Sequence, residues 1–208
     1  MTGATNAETR SERDLETAAR RTRMVAAAVE LAVNGGYEAV QMRDVAARAE
    51  VALGTLYRHY PSKDHLLLAA LAEQAGALRE RMAQRPPEGP DAAARTADVL
   101  HRATRALARR PDLTAALVIA LTSPEGDTAQ YKHEVETILR AIITTAIAGT
   151  DVSDPDGVVR TLGYVWLAVL SAWVGGTLDT DQMDLDLTIA ARLLLGVSAA
   201  ERMVSAPD

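Results

Sequence analysis

The chain has 208 residues, no cysteine, three per cent aromatic residues and a formal charge of −6. That length accommodates one large domain, or a small one joined to a bigger one, with a substantial core. The missing thiols exclude disulfides, thiolate zinc sites and cysteine nucleophiles together, and they suit a reducing, cytoplasmic compartment.

Residues 1–14 are polar and small and read as a disordered arm, without the apolar run of a signal peptide. Over 15–34, Met24, Val25, Ala28, Val29 and Ala32 recur at helical spacing, and Gly35-Gly36 closes the helix. Arg20, Arg21 and Arg23 sit in its first half. Two short helices follow. The first, 42–49, buries Val45, Ala46 and Ala49, and a turn falls at 50–52. The second, 53–60, sends Leu56 inward and Thr55, Arg58 and His59 outward. A small residue at the crossing, a break and an apolar anchor fit a helix-turn-helix. Tyr57, Arg58, His59, Tyr60 and Lys63 crowd polar aromatics and cations onto the outer face of the second helix. The charge divides along the chain. Residues 10–65 hold nine Arg or Lys against eight Asp or Glu, whereas 66–208 hold thirteen against nineteen. The acidity therefore belongs to the second part, and it does not forbid a local cationic face from meeting phosphates.

Pro61 ends the second short helix and Ser62 is placed to cap the next, 63–84, which is long enough to connect two domains mechanically. The segment 85–90, Arg-Pro-Pro-Glu-Gly-Pro, then breaks the chain, and every later segment reads helical: 91–109, 113–121, 130–147, 158–174 and 184–197. Arg102, Arg105, Arg109 and Arg110 form a basic outer face on the first of these, a solvated surface or a seat for a phosphate-bearing ligand. The longest apolar run, 162–174, falls short of a membrane span, so no membrane partner is expected.

The last two helices are apolar nearly all round, and such a helix must be covered on both sides. They imply a second copy of the chain and a four-helix interface, through Val165, Val169, Ile189, Leu193, Leu194 and Val197. Trp166, Leu170 and Trp173 form one stripe that belongs either to that interface or to a pocket. Together with Leu71, Leu78, Met82, Leu117, Leu121 and Leu139 they are candidate lining for a wide apolar pocket suited to a bulky ligand.

The wording Gly-Thr-Leu-Tyr-Arg-His-Tyr-Pro-Ser-Lys-Asp-His-Leu-Leu over 54–67, with the stretch 35–52 before it, resembles the signature of the TetR family of bacterial transcriptional regulators. The likeness covers about sixty residues near the N-terminus. Within the family it is most similar to the actinobacterial repressors of cholesterol and steroid catabolism. The resemblance implies an all-α fold of about nine helices: an N-terminal three-helix bundle with the helix-turn-helix (15–65), and a helical ligand-binding and dimerisation domain (66–208). It implies a dimer on a palindromic or pseudo-palindromic operator in double-stranded DNA. It places Arg43, Thr55, Tyr57, Arg58, His59, Tyr60 and Lys63 against the duplex. Of these, Arg43 and Arg58 suit guanine edges, Thr55 and Tyr60 apolar or phosphate contacts, and Tyr57, His59 and Lys63 phosphates. Gly54 lets the backbone come close to the groove. Ala52, where the family commonly has Ser, leaves the amides of the recognition helix free to face a phosphate. The effector expected from the steroid branch is a sterol-derived CoA thioester, with drug efflux or fatty-acid metabolism as the alternative setting.

An enzyme is the opposing class, with a helical scaffold as a third. There is no phosphate-binding Gly-rich loop after a strand and no His-Glu-x-x-His. His59, His65, His101 and His133 are scattered, and Asp179, Asp181, Asp184 and Asp186 lack the trailing Glu of a calcium loop. No catalytic residue, metal or cofactor is expected.

Overall fold

Turn chemistry sets the boundaries of this fold. The computed structural model describes residues 2–124 and 126–196, so the expected interface residue Val197 lies outside the described residues. Within them the chain forms α1 (Thr2–Ala39), α2 (Met42–Arg48), α3 (Leu53–His59), α4 (Lys63–Gln84), α5 (Ala92–Ala108), α6 (Pro111–Thr122), α7 (Ala129–Ala146), α8 (Pro155–Val174) and α9 (Thr180–Leu195). A single 3-10 turn at Gly126–Thr128 precedes α7, and no strand occurs among the described residues.

The first helix begins at Thr2 rather than Leu15, so the arm continues α1 instead of standing apart from it. It kinks at Gly36, whose φ of 66° is a conformation that side-chain-bearing residues rarely adopt. The turn between α2 and α3 is closed by Glu50 N–H to Ala47 O (3.2 Å) and Val51 N–H to Ala46 O (3.0 Å). Glu50 takes φ 55° there, at a cost of about 1 kcal/mol that Gly would not carry. Ser62 starts α4 without capping an amide; its hydroxyl meets His65 Nδ1 at 2.9 Å instead. Side-chain caps do form at Asp91, Asp154 and Asp179, each accepting a backbone N–H at 2.8 Å.

One apolar cluster joins Met24 and Ala28 of α1, Val45 of α2, Leu56 of α3 and Leu67 of α4 to Leu113 and Leu117 of α6. One cluster therefore runs from the head through α4 into α6. A second cluster unites Leu100, Ile143, Leu162, Val169, Met183 and Leu187 from α5, α7, α8 and α9. One expectation is corrected by it. Val169 is buried in this internal cluster rather than open to a partner chain, and Trp173 packs against the same cluster as Trp166.

By length and composition α8 is apolar enough to cross a membrane, contrary to the shorter run expected, since the helix starts at Pro155. Its packing against α6, α7 and α9 is that of a bundle helix.

Candidate functional site

The outer face of the head is built by α2 and α3. Arg43, Ala52, Gly54, Tyr57 and Arg58 are exposed, and Thr55 and His59 are half-buried. A Cβ placed on Gly54 would meet nothing within 4 Å, so the backbone there borders open space. Leu56, fully buried, anchors α3 from behind and contributes about 2 kcal/mol by that burial.

Tyr60 is a correction. It was expected to face outward, and it is 1% exposed. The chain leaves the helix at Tyr60 in an extended conformation (φ −138°), which swings the side chain inward. Its ring lies 6.5 Å from that of Tyr131 on α7, under the Arg21 guanidinium at 5.8 Å. Lys63 is half-buried; its ammonium sits 3.7 Å from the centre of the Tyr37 ring and donates to Tyr37 O at 3.3 Å. The Tyr37 hydroxyl in turn donates to the buried Asp64 carboxylate at 2.6 Å, so this corner of the head is tied internally.

Electrostatically the face is cationic. Burial first, then Arg58, Arg21 and Arg20, hold the His59 imidazole below the ordinary histidine value. Arg20 is paired with Glu16, and Arg23 Nε reaches Ala49 O at 3.4 Å, helping to close α2. Sequence spacing gave no sign that Arg20 and Arg21, some forty positions upstream, converge on the end of α3. Only the crossing of α1 over the head brings them there.

Behind the head, α4, α5, α6, α7 and α8 line an open-sided cavity of about 1620 Å³ that also reaches the α1 wall at Val25 and Val29. Leu71, Leu78, Met82, Leu117, Leu121, Leu139, Trp166 and Leu170 all line it; Trp173 does not. Trp166 is fixed there by donating from Nε1 to Thr104 Oγ1 at 3.0 Å. The wall carries nine Arg or Lys against five Asp or Glu, which reverses the sign of the surrounding domain. Arg102 is spent on Asp98 and on the carbonyl of Arg85, and Arg105 pairs with Asp184. Arg81, Arg109, Arg110 and Arg160 meet no carboxylate among the described residues.

A third surface runs along α9. Leu185, Ile189 and Leu193 lie four residues apart and are 51%, 45% and 68% exposed, with Tyr164 of α8 also open at 66%. Val165 and Leu194 are half-buried against the second cluster. Leu185 and Tyr164 were missed in the sequence, although Leu185 continues the stripe of Ile189 and Leu193 by one turn.

Residues 24–70 match the model for bacterial regulatory proteins of the tetR family, and residues 89–194 match a tetracyclin repressor-like C-terminal domain. This chain belongs to the TetR family. As a TetR-family member it is a DNA-binding transcriptional regulator of the helix-turn-helix type. It is 38% identical to the HTH-type transcriptional repressor KstR of Rhodococcus jostii over 91% of each chain. The solved TetR transcriptional regulator from Rhodococcus sp. RHA1 superposes with a TM-score of 0.80 at 31% identity, covering 86% of this chain and 97% of that one. The fold is also that of the Thermus thermophilus FadR repressor solved with lauroyl-CoA (TM-score 0.64, 23% identity, 84% of this chain and 92% of that one). In TetR terms, residues 42–59 are the helix-turn-helix, and the cavity lies wholly within the part that follows it and the rear of α1.

Proposed function

We propose that this regulator is a dimeric, cytoplasmic repressor. It binds a pseudo-palindromic operator and is controlled by a bulky acyl-CoA, of sterol-derived type, over genes of lipid or steroid breakdown. The observation that carries the reading is one molecule holding both an exposed cationic recognition helix and a large apolar cavity with unpaired arginines at its rim. Apolar walls suit a hydrocarbon body, and Arg109, Arg110, Arg81 and Arg160 suit the phosphates of a CoA tail. The similarity to the repressor KstR supports the repressor reading, and the lauroyl-CoA held by the FadR of the same fold supports an acyl-CoA as the ligand.

On the DNA side, Arg43 and Arg58 read guanine edges, Thr55 contacts a base methyl or a phosphate, and Tyr57, His59 and Lys63 meet phosphates. Ala52 and Gly54 allow the backbone to approach. Arg58→Ala is expected to flatten sequence preference, costing about 1–3 kcal/mol at one base pair. Titration of the operator against single-base variants checks this, and unchanged discrimination rejects the role. His59 adds a pH dependence. A phosphate beside it raises a value that the free head holds low. Binding therefore takes up a proton, and operator affinity is expected to rise as pH falls toward the lowered value of the free head and to lose that gain as pH climbs. The same titration with His59→Gln, flat across that window, is the control.

Two helices connect cavity and head. The first turn of α4 is tied to the head through Lys63 and Asp64, while Leu71, Leu78 and Met82 further along line the cavity. Helix α7 lines the cavity with Val135 and Leu139, and its Tyr131 packs on Tyr60 and, edge-on at 5.6 Å, on His65. A ligand that fits one spacing of the two heads better than another lowers DNA affinity by that difference and no more. Selection of bound genomic fragments, repeated with and without CoA thioesters, tests the whole reading. Recovery of no enriched sequence overturns it.

A further inference from the structure

The apolar clusters of the molecule meet at one side chain. Trp166 alone among the described residues packs against three of them: the cluster that joins the head to α6, the one uniting α5, α7, α8 and α9, and a third that includes Leu78 of α4, Val99 of α5 and Ile142 of α7. Trp166 also lines the cavity and is only half-buried, which leaves part of its indole open to an occupant. Its orientation rests on one polar contact. An indole has a single donor, and Nε1 gives it to Thr104 Oγ1 on α5 at 3.0 Å. Thr104 is 1% exposed, so little solvent competes for that bond while the indole is in place. Polar fixing continues along the same helix. Arg105 pairs with Asp184 of α9, and His101 Nε2 lies 3.0 Å from Asp184 O and 3.1 Å from Thr188 Oγ1. Helix α5 thus carries a wall of the cavity, the acceptor that holds Trp166 and the clasp on the helix of the exposed Leu185, Ile189 and Leu193 stripe.

Building on the reading that an occupant of the cavity releases DNA, we propose that Trp166, pinned by Thr104, is the switch through which the cavity acts on the head and on α9 together. With the bond to Thr104 made, the three clusters hold the arrangement that binds operator. An occupant that turns the indole aside breaks the bond, and because close-packed side chains shift rather than compress, the displacement passes into all three clusters at once. This route runs beside those through α4 and α7.

The test uses the full-length protein, octadecanoyl-CoA as the probe and an operator fragment recovered by genomic selection. Thr104→Val removes the acceptor and nearly keeps the shape. The variant is expected to bind operator up to about tenfold more weakly, and octadecanoyl-CoA more tightly by a similar factor, since both affinities follow one equilibrium. A folding defect weakens both, so opposite changes mark the switch. Thr104→Ser keeps an acceptor and is expected to restore both values. In a Trp173→Phe background Trp166 is the single tryptophan, and its emission is expected to move when octadecanoyl-CoA binds and to return when operator is added in excess. Affinities that fall together, or that both stay put, overturn the switch; so does a thioester that releases operator without moving the emission. If octadecanoyl-CoA does not bind the natural chain, the effector reading falls. The switch is then decided by Thr104→Val on operator alone, where undiminished affinity overturns it.

Discussion

A chain carrying Ile189→Asp and Leu193→Asp together is expected to run as a folded monomer and to lose operator affinity by at least about a hundredfold. The two positions sit on the open side of α9, 45% and 68% exposed in the single chain, so the substitutions disturb few internal contacts, and helix content and melting should change little. In a dimer they would place four carboxylates, two from each copy, into an apolar seam. Each apolar side chain covered there contributes about 1.5–3 kcal/mol, whereas an unpaired carboxylate buried in its place costs several. Operator affinity follows because one recognition helix spans a single half-site, and a lone head is left near its non-specific level. Sedimentation and operator titration on the same sample are the measurements. A dimer that persists with full affinity would assign pairing to another face.

The stripe shows how far the sequence was legible. Apolar residues all round α8 and α9 announced that something must cover them, and Ile189 and Leu193 are on the free side. Val169 and Trp173 are not, since which side of an all-apolar helix meets its own chain depends on where α5 and α7 lie, and periodicity within one helix carries no such information. The helix-turn-helix was more readable because its two periods are short and its anchors, Val45, Ala46 and Leu56, are local. The cavity fell between these cases. Its leucines were read from stripes on α4, α6 and α7, but that these stripes face one another is set by how the helices cross, which no single stripe records.

Tyr60 tests the boundary between recognition and support. Tyr60→Ala is expected to destabilise the protein by about 3–4 kcal/mol, the cost of emptying a fully buried aromatic site. Tyr60→Phe should be nearly neutral, since the hydroxyl's contact with Arg21 Nε is long, at 3.5 Å. Were Tyr60 a phosphate ligand, Phe would weaken operator binding and flatten its salt dependence. As a core residue it leaves both unchanged, and thermal melting beside salt-titrated binding separates the two. The aromatic also fills the space between the end of α3 and Tyr131 on α7. Emptying it removes the surface on which α7 bears. A suboptimal Tyr60→Ala sample that still binds DNA at low temperature should then respond less to any ligand that displaces α7, because the displacement has nothing left to push against.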